Sequence, residues 1–208
     1  MKFAVTSAAT LVATLLATSA SASLTFIKGD PRAAESIVTQ LCVACHAVDG
    51  NPPPGPNPKL AGLNAEYLYK QLVDYKTGAR KNAIMAGMVA GLTDQDKRNL
   101  ALYYSQQKPK PGTSGDQALA LTGERIFRGG IPGTGVASCA ACHGPQGKGI
   151  PTQFPRLAGQ HSEYIYEQLN QFRLGTRAND SARMMRSIAA RMTDAEMRAV
   201  AAYIQGLR

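Results

Sequence analysis

The four cysteines of this 208-residue chain form two pairs, Cys42/Cys45 and Cys139/Cys142, each followed directly by a histidine, His46 and His143. On a helix, positions i, i+3 and i+4 share one face. Two thiols so placed can add to the two vinyl groups of one porphyrin, and the imidazole can reach its iron from the same side. Each Cys-x-x-Cys-His box therefore reads as a c-type haem attachment site. Together the boxes use every cysteine and two of the three histidines. A zinc or redox-dithiol role for the pairs is the weaker reading, since both are followed by histidine.

A haem iron saturated by histidine and a second strong ligand carries electrons, whereas an open position binds or activates small molecules. Five methionines could supply that ligand: Met85 or Met88 after the first box, and Met184, Met185 or Met192 after the second. An internal repeat narrows the choice. His46 and His143 lie 97 residues apart, and at the same offset Leu60-Ala61-Gly62, Tyr67, Gln71, Gly78 and Arg80 return as Leu157-Ala158-Gly159, Tyr164, Gln168, Gly175 and Arg177. An insertion near Asn179-Asp180-Ser181 then moves the offset to 100, which pairs Met85 with Met185 and Thr93 with Thr193. Met85 and Met185 give both halves a thioether at matched positions, and a thioether opposite a neutral imidazole raises the reduction potential. Met184, Met88 and Met192 pair with Ile84, Ile188 and Leu92, and read as core.

The same matching suggests what surrounds the iron ligands. A ligating histidine usually donates its other ring N–H to an acceptor. Pro58 and Pro155 each lie twelve residues beyond their histidine, and their carbonyls are the proposed acceptors. Arg80 and Arg177 are matched candidates for the propionates. His161 pairs with Asn64 and reads as a surface or cap-region residue rather than an iron ligand.

These groups need helices to hold them. In the first half a helix from about Pro31 runs into the first box, with proline at its favoured first position. A Pro/Gly-rich loop over 50–58 follows. Asn64 caps a helix carrying Leu68, Leu72 and Tyr75 on one face, and Gly78 stops it. Thr93-x-x-Asp96 opens the last helix. In the second half Ser162 is the expected cap of a helix burying Ile165, Leu169 and Phe172. Thr193-x-x-Glu196 opens one burying Val200, Tyr203, Ile204 and Leu207. No stretch sustains strand alternation. The expected fold is all-α, two tandem domains each wrapped around a covalently bound haem.

Met1-Lys2, the apolar run Ala8 to Ala17 and Ala20-Ser21-Ala22 read as a cleaved secretory signal over 1–22, which places the mature chain in the periplasm. The domain boundaries expected are 23–107 and 117–208, joined by the Pro/Gly/Ser-rich linker 108–116. Without the signal, the formal charge is +8. That basic balance suits acidic partners or anionic membrane surfaces rather than nucleic acid in an exported haem protein. Lys70, Lys76, Lys81, Lys97, Arg173, Arg183 and Arg186 are candidates for steering such partners.

The tandem boxes, the paired Leu-Ala-Gly turns, the tyrosine-led Gln-Leu helices and the Tyr203-Ile204-Gln205-Gly206-Leu207 ending resemble the dihaem cytochrome c4 family. The resemblance spans 24–208. It implies two class I cytochrome c domains related by a pseudo-twofold axis, two covalently attached haem c groups, and iron ligands at His46, Met85, His143 and Met185. It also implies a periplasmic electron carrier of the respiratory chain, with redox partner proteins such as a terminal oxidase or membrane respiratory complex, and peripheral membrane association. An enzymatic role, such as a dihaem peroxidase, would need an open iron, against which the matched methionines argue. Ala34-Glu35 stands where the family usually has Gly-Lys, and Met85-Ala86-Gly87-Met88 where it often has Met-Thr-Gly-Leu.

Overall fold

The computed structural model describes residues 27–208; the signal peptide expected over 1–22 lies outside the described residues. Among the described residues all regular structure is helical, with three isolated β-bridges and no strand. The all-α expectation holds.

The first half opens on a helical run over 31–46, anchored by Asp30, whose carboxylate accepts from the Arg32 N–H (2.9 Å). The run is uneven: a 3-10 turn at Pro31–Ala34, an α-turn at Glu35–Ile37, a π-turn at Val38–Cys42 and an α-turn at Val43–His46. It delivers the first box directly, with no intervening loop. Helices Ala65–Thr77, Ala83–Val89 and Asp94–Ser105 follow. Each start has a local cause. Asn64 Oδ1 accepts from Tyr67 N (2.7 Å), Asn82 Oδ1 accepts from Met85 N (2.9 Å), and Thr93 with Asp96 closes a reciprocal capping box. Gly78 ends the first of them at φ 77°, a conformation that a Cβ would oppose.

The second half repeats the plan with changes. Helix Gln117–Gly129 is separated from the box helix Cys139–His143 by residues 130–138, which include a 3-10 turn at Pro132–Thr134. Helices Ser162–Leu174, Met184–Ala189 and Asp194–Gly206 complete it. The cap expected at Ser162 sits one residue earlier, at His161, and Ser162 is the first helical residue. The Ser162 N–H is satisfied from outside the helix, by Gln205 Oε1 at 2.8 Å, so no side-chain cap forms there. The insertion near 179–181 becomes a 3-10 turn at Ser181–Arg183, with Ala182 and Arg183 at φ 50° and 58°.

Each half has its own apolar core. In the first, Ala34 and Val38 of the opening run pack with Leu68, Val89, Leu100, Ala101 and Tyr104. In the second, Phe127 meets Ile165, Leu169, Phe172, Met197, Val200 and Ile204. The faces read from helical spacing are the ones packed on the cores, with Leu72, Tyr75 and Tyr203 half-buried. Between the halves the segment 108–116 is bonded along both: Asn51 Nδ2 donates to Lys108 O (3.1 Å) and Gln205 Nε2 to Thr113 O (2.6 Å).

Candidate haem sites and the polar seam between them

The two boxes place their histidines alike. His46 Nδ1 lies 3.0 Å from Pro58 O, and His143 Nδ1 lies 2.9 Å from Pro155 O. A carbonyl can only accept, so each Nδ1 carries the proton and each Nε2 keeps its lone pair for a metal. Burial pushes both imidazoles below the usual histidine range, and the carbonyl bond only partly offsets it. The ring is therefore neutral, the form that ligates iron. All four thiols are free, and burial pushes Cys139 up to about 11 and also raises Cys42. The donor set is two unpaired thiols and one pre-oriented imidazole in each half.

The loop between each box and its proline is closed by a glycine carbonyl. Gly50 O accepts from Leu60 N (2.8 Å) and Ala61 N (3.1 Å); Gly147 O accepts from Leu157 N (2.8 Å) and Ala158 N (3.0 Å). The Leu-Ala-Gly turns then tie to the closing helices through Gly62 N to Tyr104 O (3.0 Å) and Gly159 N to Ile204 O (2.9 Å). The turns thus fix the proline carbonyls that fix the rings.

Met85 and Met185 are half-buried against the two cores, each on a helix of seven residues or fewer that the sequence reading did not anticipate. Met192 and Leu92 are core, as expected. Ile84, Met88 and Met184 are not: Ile84 is 68% and Met88 43% exposed, and Met184 is also exposed. The physical reason is helix length. So short a helix turns one narrow side inward, which Met85 and Val89 occupy at i, i+4, leaving Ile84 and Met88 outside it.

Arg80 and Arg177 are buried at the contact between the halves, where their backbones form an antiparallel bridge. Each reaches across to the other half. Arg80 Nη2 donates to Tyr164 OH (3.0 Å) and Gln168 Oε1 (2.6 Å); Arg177 Nη2 donates to Tyr67 OH (3.2 Å) and Gln71 Oε1 (3.3 Å). Every side-chain partner is neutral. Tyr67 feels the resulting field: burial opposes its ionisation, yet Arg177 and Arg80 hold its phenol below the usual value. Repeat-matched residues thus form one symmetric seam. The repeat contained this signal, because polar residues that recur at helix-inward positions need partners.

Two further expectations are corrected. His161 is in the cap region but is not on the surface: it is buried, with Nε2 3.2 Å from Pro52 O of the first half. Burial and the nearby Lys59 lower its pKa. Most of the proposed steering cations are already engaged. Lys97 is buried beside Asp94 (3.6 Å), Arg186 pairs with Asp180 (2.7 Å), and Arg173 binds Asp194 (3.2 Å). Lys70 binds Asp74, and Lys76 binds the Leu92 carbonyl. Lys81 and Arg183 remain exposed and without an ion pair among the described residues.

The cytochrome c family profile matches residues 32–108 and 122–208, one match for each half. Cytochrome c4 of Thiocapsa roseopersicina is 46% identical over 181 residues, covering 86% of this chain and 93% of that protein. The chain belongs to the dihaem cytochrome c4 family. The reduced recombinant cytochrome c4 from Pseudomonas stutzeri superposes with a TM-score of 0.83 at 43% identity, over 87% of this chain and all of that one. A protein named thiosulfate dehydrogenase electron acceptor, from Thiomonas intermedia, is 41% identical over 78% of this chain and 76% of its own length. As a member of the dihaem cytochrome c4 family, this chain binds two covalent haem c groups and transfers electrons. Its free thiols, its neutral imidazoles and two buried arginines whose direct side-chain partners are all neutral fit groups that carry two vinyls, an iron and two propionates. Among the described residues no helix is long and apolar enough to cross a membrane.

Proposed function

We propose that this chain is a periplasmic carrier that accepts electrons from one redox protein and passes them to another. The acceptor is a terminal oxidase or another membrane respiratory complex. In this reading residues 1–22 direct export, and domains 23–107 and 117–208 are joined by linker 108–116. Cys42 and Cys45 would hold one haem, with His46 and Met85 as its iron ligands; Cys139 and Cys142 would hold the other, with His143 and Met185. The chain transforms no substrate of its own.

The observation that carries this reading is the duplicated ligand set: an imidazole oriented by a proline carbonyl and, at a matched position, a half-buried thioether. Haem supplies reversible one-electron chemistry at iron when bound. The chain's own residues do the rest. Pro58 and Pro155 fix the tautomer and the ring orientation, and burial keeps the imidazoles neutral, which favours ligation. The methionines exclude exogenous ligands and favour the reduced state. Arg80 and Arg177 offer buried positive charge to propionates, where an unpartnered cation would be costly. The relative named as a thiosulfate dehydrogenase electron acceptor favours a dehydrogenase on the donor side.

The test is optical. Protein exported by a host with haem-attachment machinery is expected to hold two haems per chain, show a methionine–iron charge-transfer band when ferric, and give no carbon monoxide shift when ferrous. Met85→Ala and Met185→Ala should each halve the band and open one haem to carbon monoxide. Carbon monoxide binding by the unaltered protein would leave an iron open and point to catalysis or ligand sensing.

A further inference from the structure

Both histidines meet a proline carbonyl at the same distance, but the loops that hold the two prolines are themselves held differently. The loop of the second half is closed from within. Ile150 N donates to Phe154 O (2.9 Å), Phe154 N donates to Ile150 O (3.1 Å), and Pro155 follows directly on that bridge. The Phe154 ring also lies edge-on to His143 at 6.0 Å. In the first half the matched positions are Pro53 and Asn57. Proline has no N–H to donate, so the first of those two bonds cannot form there, and Asn57 has no ring to set against His46. Residues 53–57 make no hydrogen bond among the described residues.

The first loop is held by the other half instead. Buried Gln160 pairs with the Lys59 backbone on both sides: Lys59 N donates to Gln160 Oε1 (2.8 Å), and Gln160 Nε2 donates to Lys59 O (2.9 Å). The neighbouring His161 holds the far end of the same loop, with Nε2 3.2 Å from Pro52 O. The peptide unit joining Pro58 to Lys59 is planar. The carbonyl that accepts from His46 Nδ1 (3.0 Å) and the N–H that donates to Gln160 are therefore opposite ends of one rigid plate. Hydrogen bonds in such a chain also polarise one another, so an acceptor on the N–H makes the carbonyl a stronger acceptor for the histidine. The reverse arrangement is missing. Leu63 stands where the second half has Gln160, and Arg156, matched to Lys59, makes no backbone hydrogen bond through its N–H among the described residues.

We infer that Gln160 is a positioning residue for the first haem: through the Pro58–Lys59 peptide it fixes and polarises the acceptor of the His46 ring N–H, whereas His143 is supported from its own half. The bond at the distal ring nitrogen sets how strongly an imidazole donates to iron. The second half thereby takes part in setting the potential of the first haem. The inference rests on the reading of His46 as an iron ligand, and its test can fail separately.

The test uses the full, haem-loaded, 15N-labelled chain in the reduced state. Gln160→Leu puts at this position the residue that the first half has at 63. It should speed solvent exchange of the His46 ring N–H about tenfold, the equivalent of one hydrogen bond, and leave that of His143 within about twofold. Stepwise oxidation followed by NMR should show the potential of the first haem raised, since a weaker bond to Pro58 leaves a poorer donor to ferric iron, and that of the second unmoved. Gln205→Leu removes the bonds to Ser162 N and Thr113 O without touching Lys59, and should change His46 exchange less than about twofold. In the unaltered protein the Lys59 amide should exchange at least about tenfold more slowly than in an unstructured chain, a reading that needs no variant to fold. An unprotected Lys59 amide, a His46 unmoved by Gln160→Leu, equal changes at both histidines, or an equal change from Gln205→Leu would each overturn the inference. A His46 ring without the upfield C–H shifts of a haem-bound imidazole would defeat the ligand reading, and the inference with it; a ligating His46 that ignores Gln160 defeats the inference alone.

Discussion

On the side of the histidines the two cradles of this molecule are nearly superimposable, and elsewhere they part. The histidine–proline contacts are 3.0 and 2.9 Å, and the Leu-Ala-Gly turns meet the closing helices at 3.0 and 2.9 Å. Yet the first box is followed by Ala47 at φ 59° and the second by Gly144 at φ 82°. The opening helix crosses the closing one through fully buried Ala34 in one half and through Gly123 in the other. The short methionine helix is capped by Asn82 in one half; in the other, Asp180 binds the Arg186 N–H. Geometry that aims a ring at a metal tolerates tenths of an ångström, so both copies keep it. Helix crossings and caps have several solutions, so the copies drift.

The largest expected consequence lies at the crossings. A Cβ placed on Gly123 would sit 1.9 Å from Ala199 O and 2.5 Å from Ala199 C, both backbone atoms that cannot swing aside. Gly123→Val should therefore destabilise the second half by about 3 kcal/mol, an overpacking cost. On a half of this size that corresponds to a fall in melting temperature of roughly 12–24 °C. Ala34→Gly in the first half should cost only about 1 kcal/mol. Hydrogen exchange read separately on peptides of each half checks both; equal effects would mean that the two crossings are equally close.

Much of this difference was legible in the repeat, and some was not. Local chemistry announces itself: Asn64, Thr93 and Thr193 cap where their side chains predict, the Ile165/Leu169/Phe172 face is buried, and the Leu68/Leu72/Tyr75 face packs on the core with Leu72 and Tyr75 half-buried. The proline acceptors were readable because ligand chemistry demands one acceptor and the loop offers the same residue twice. What failed was non-local. Exposure of Ile84 and Met88 depends on how short their helix is, and nothing in an apolar residue states that. Arg80 and Arg177 read only as candidates for the propionates, and His161 as a surface or cap-region residue, because their partners lie in the other half, 84 to 110 positions away. A matched pair of arginines can be two exposed residues or one buried seam; only the packing of two copies decides between them.

A smaller effect separates the two methionine helices by pH. Burial pushes the Asp180 carboxyl up, but the Arg186 N–H (3.0 Å) and guanidinium (2.7 Å) outweigh it and hold the group below the usual carboxylate range. A depressed carboxylate contributes its full stability above the unfolded value near 4 and loses it as pH falls through the folded value. Asn82 does not titrate. Asp180→Asn should cost about 1.5 kcal/mol at neutral pH, in the range for bonds to charged groups, and should flatten the acid limb of the stability curve of the second half alone. Retention of that limb in the variant would assign it to another carboxylate.

The smallest expected effect bears most directly on why the boxes end differently. Ala47 (φ 59°, ψ 161°) and Gly144 (φ 82°, ψ 154°) both turn the chain away from the histidine, in a region that only glycine enters freely. A Cβ on Gly144 would meet nothing within 4 Å, so backbone conformation alone separates the two sites. Strain at Ala47 is worth about 1–3 kcal/mol, and glycine's extra freedom in the unfolded chain takes back about 0.5–1. Ala47→Gly should therefore stabilise the first half by about 1 kcal/mol, a rise of roughly 4–8 °C in melting temperature. Gly144→Ala should lower the second half by a similar or larger amount. Stabilisation in the first without loss in the second would show that the turn after His143 can relax, and that the tight exit from the box is a property of the first half's loop rather than of the attachment motif.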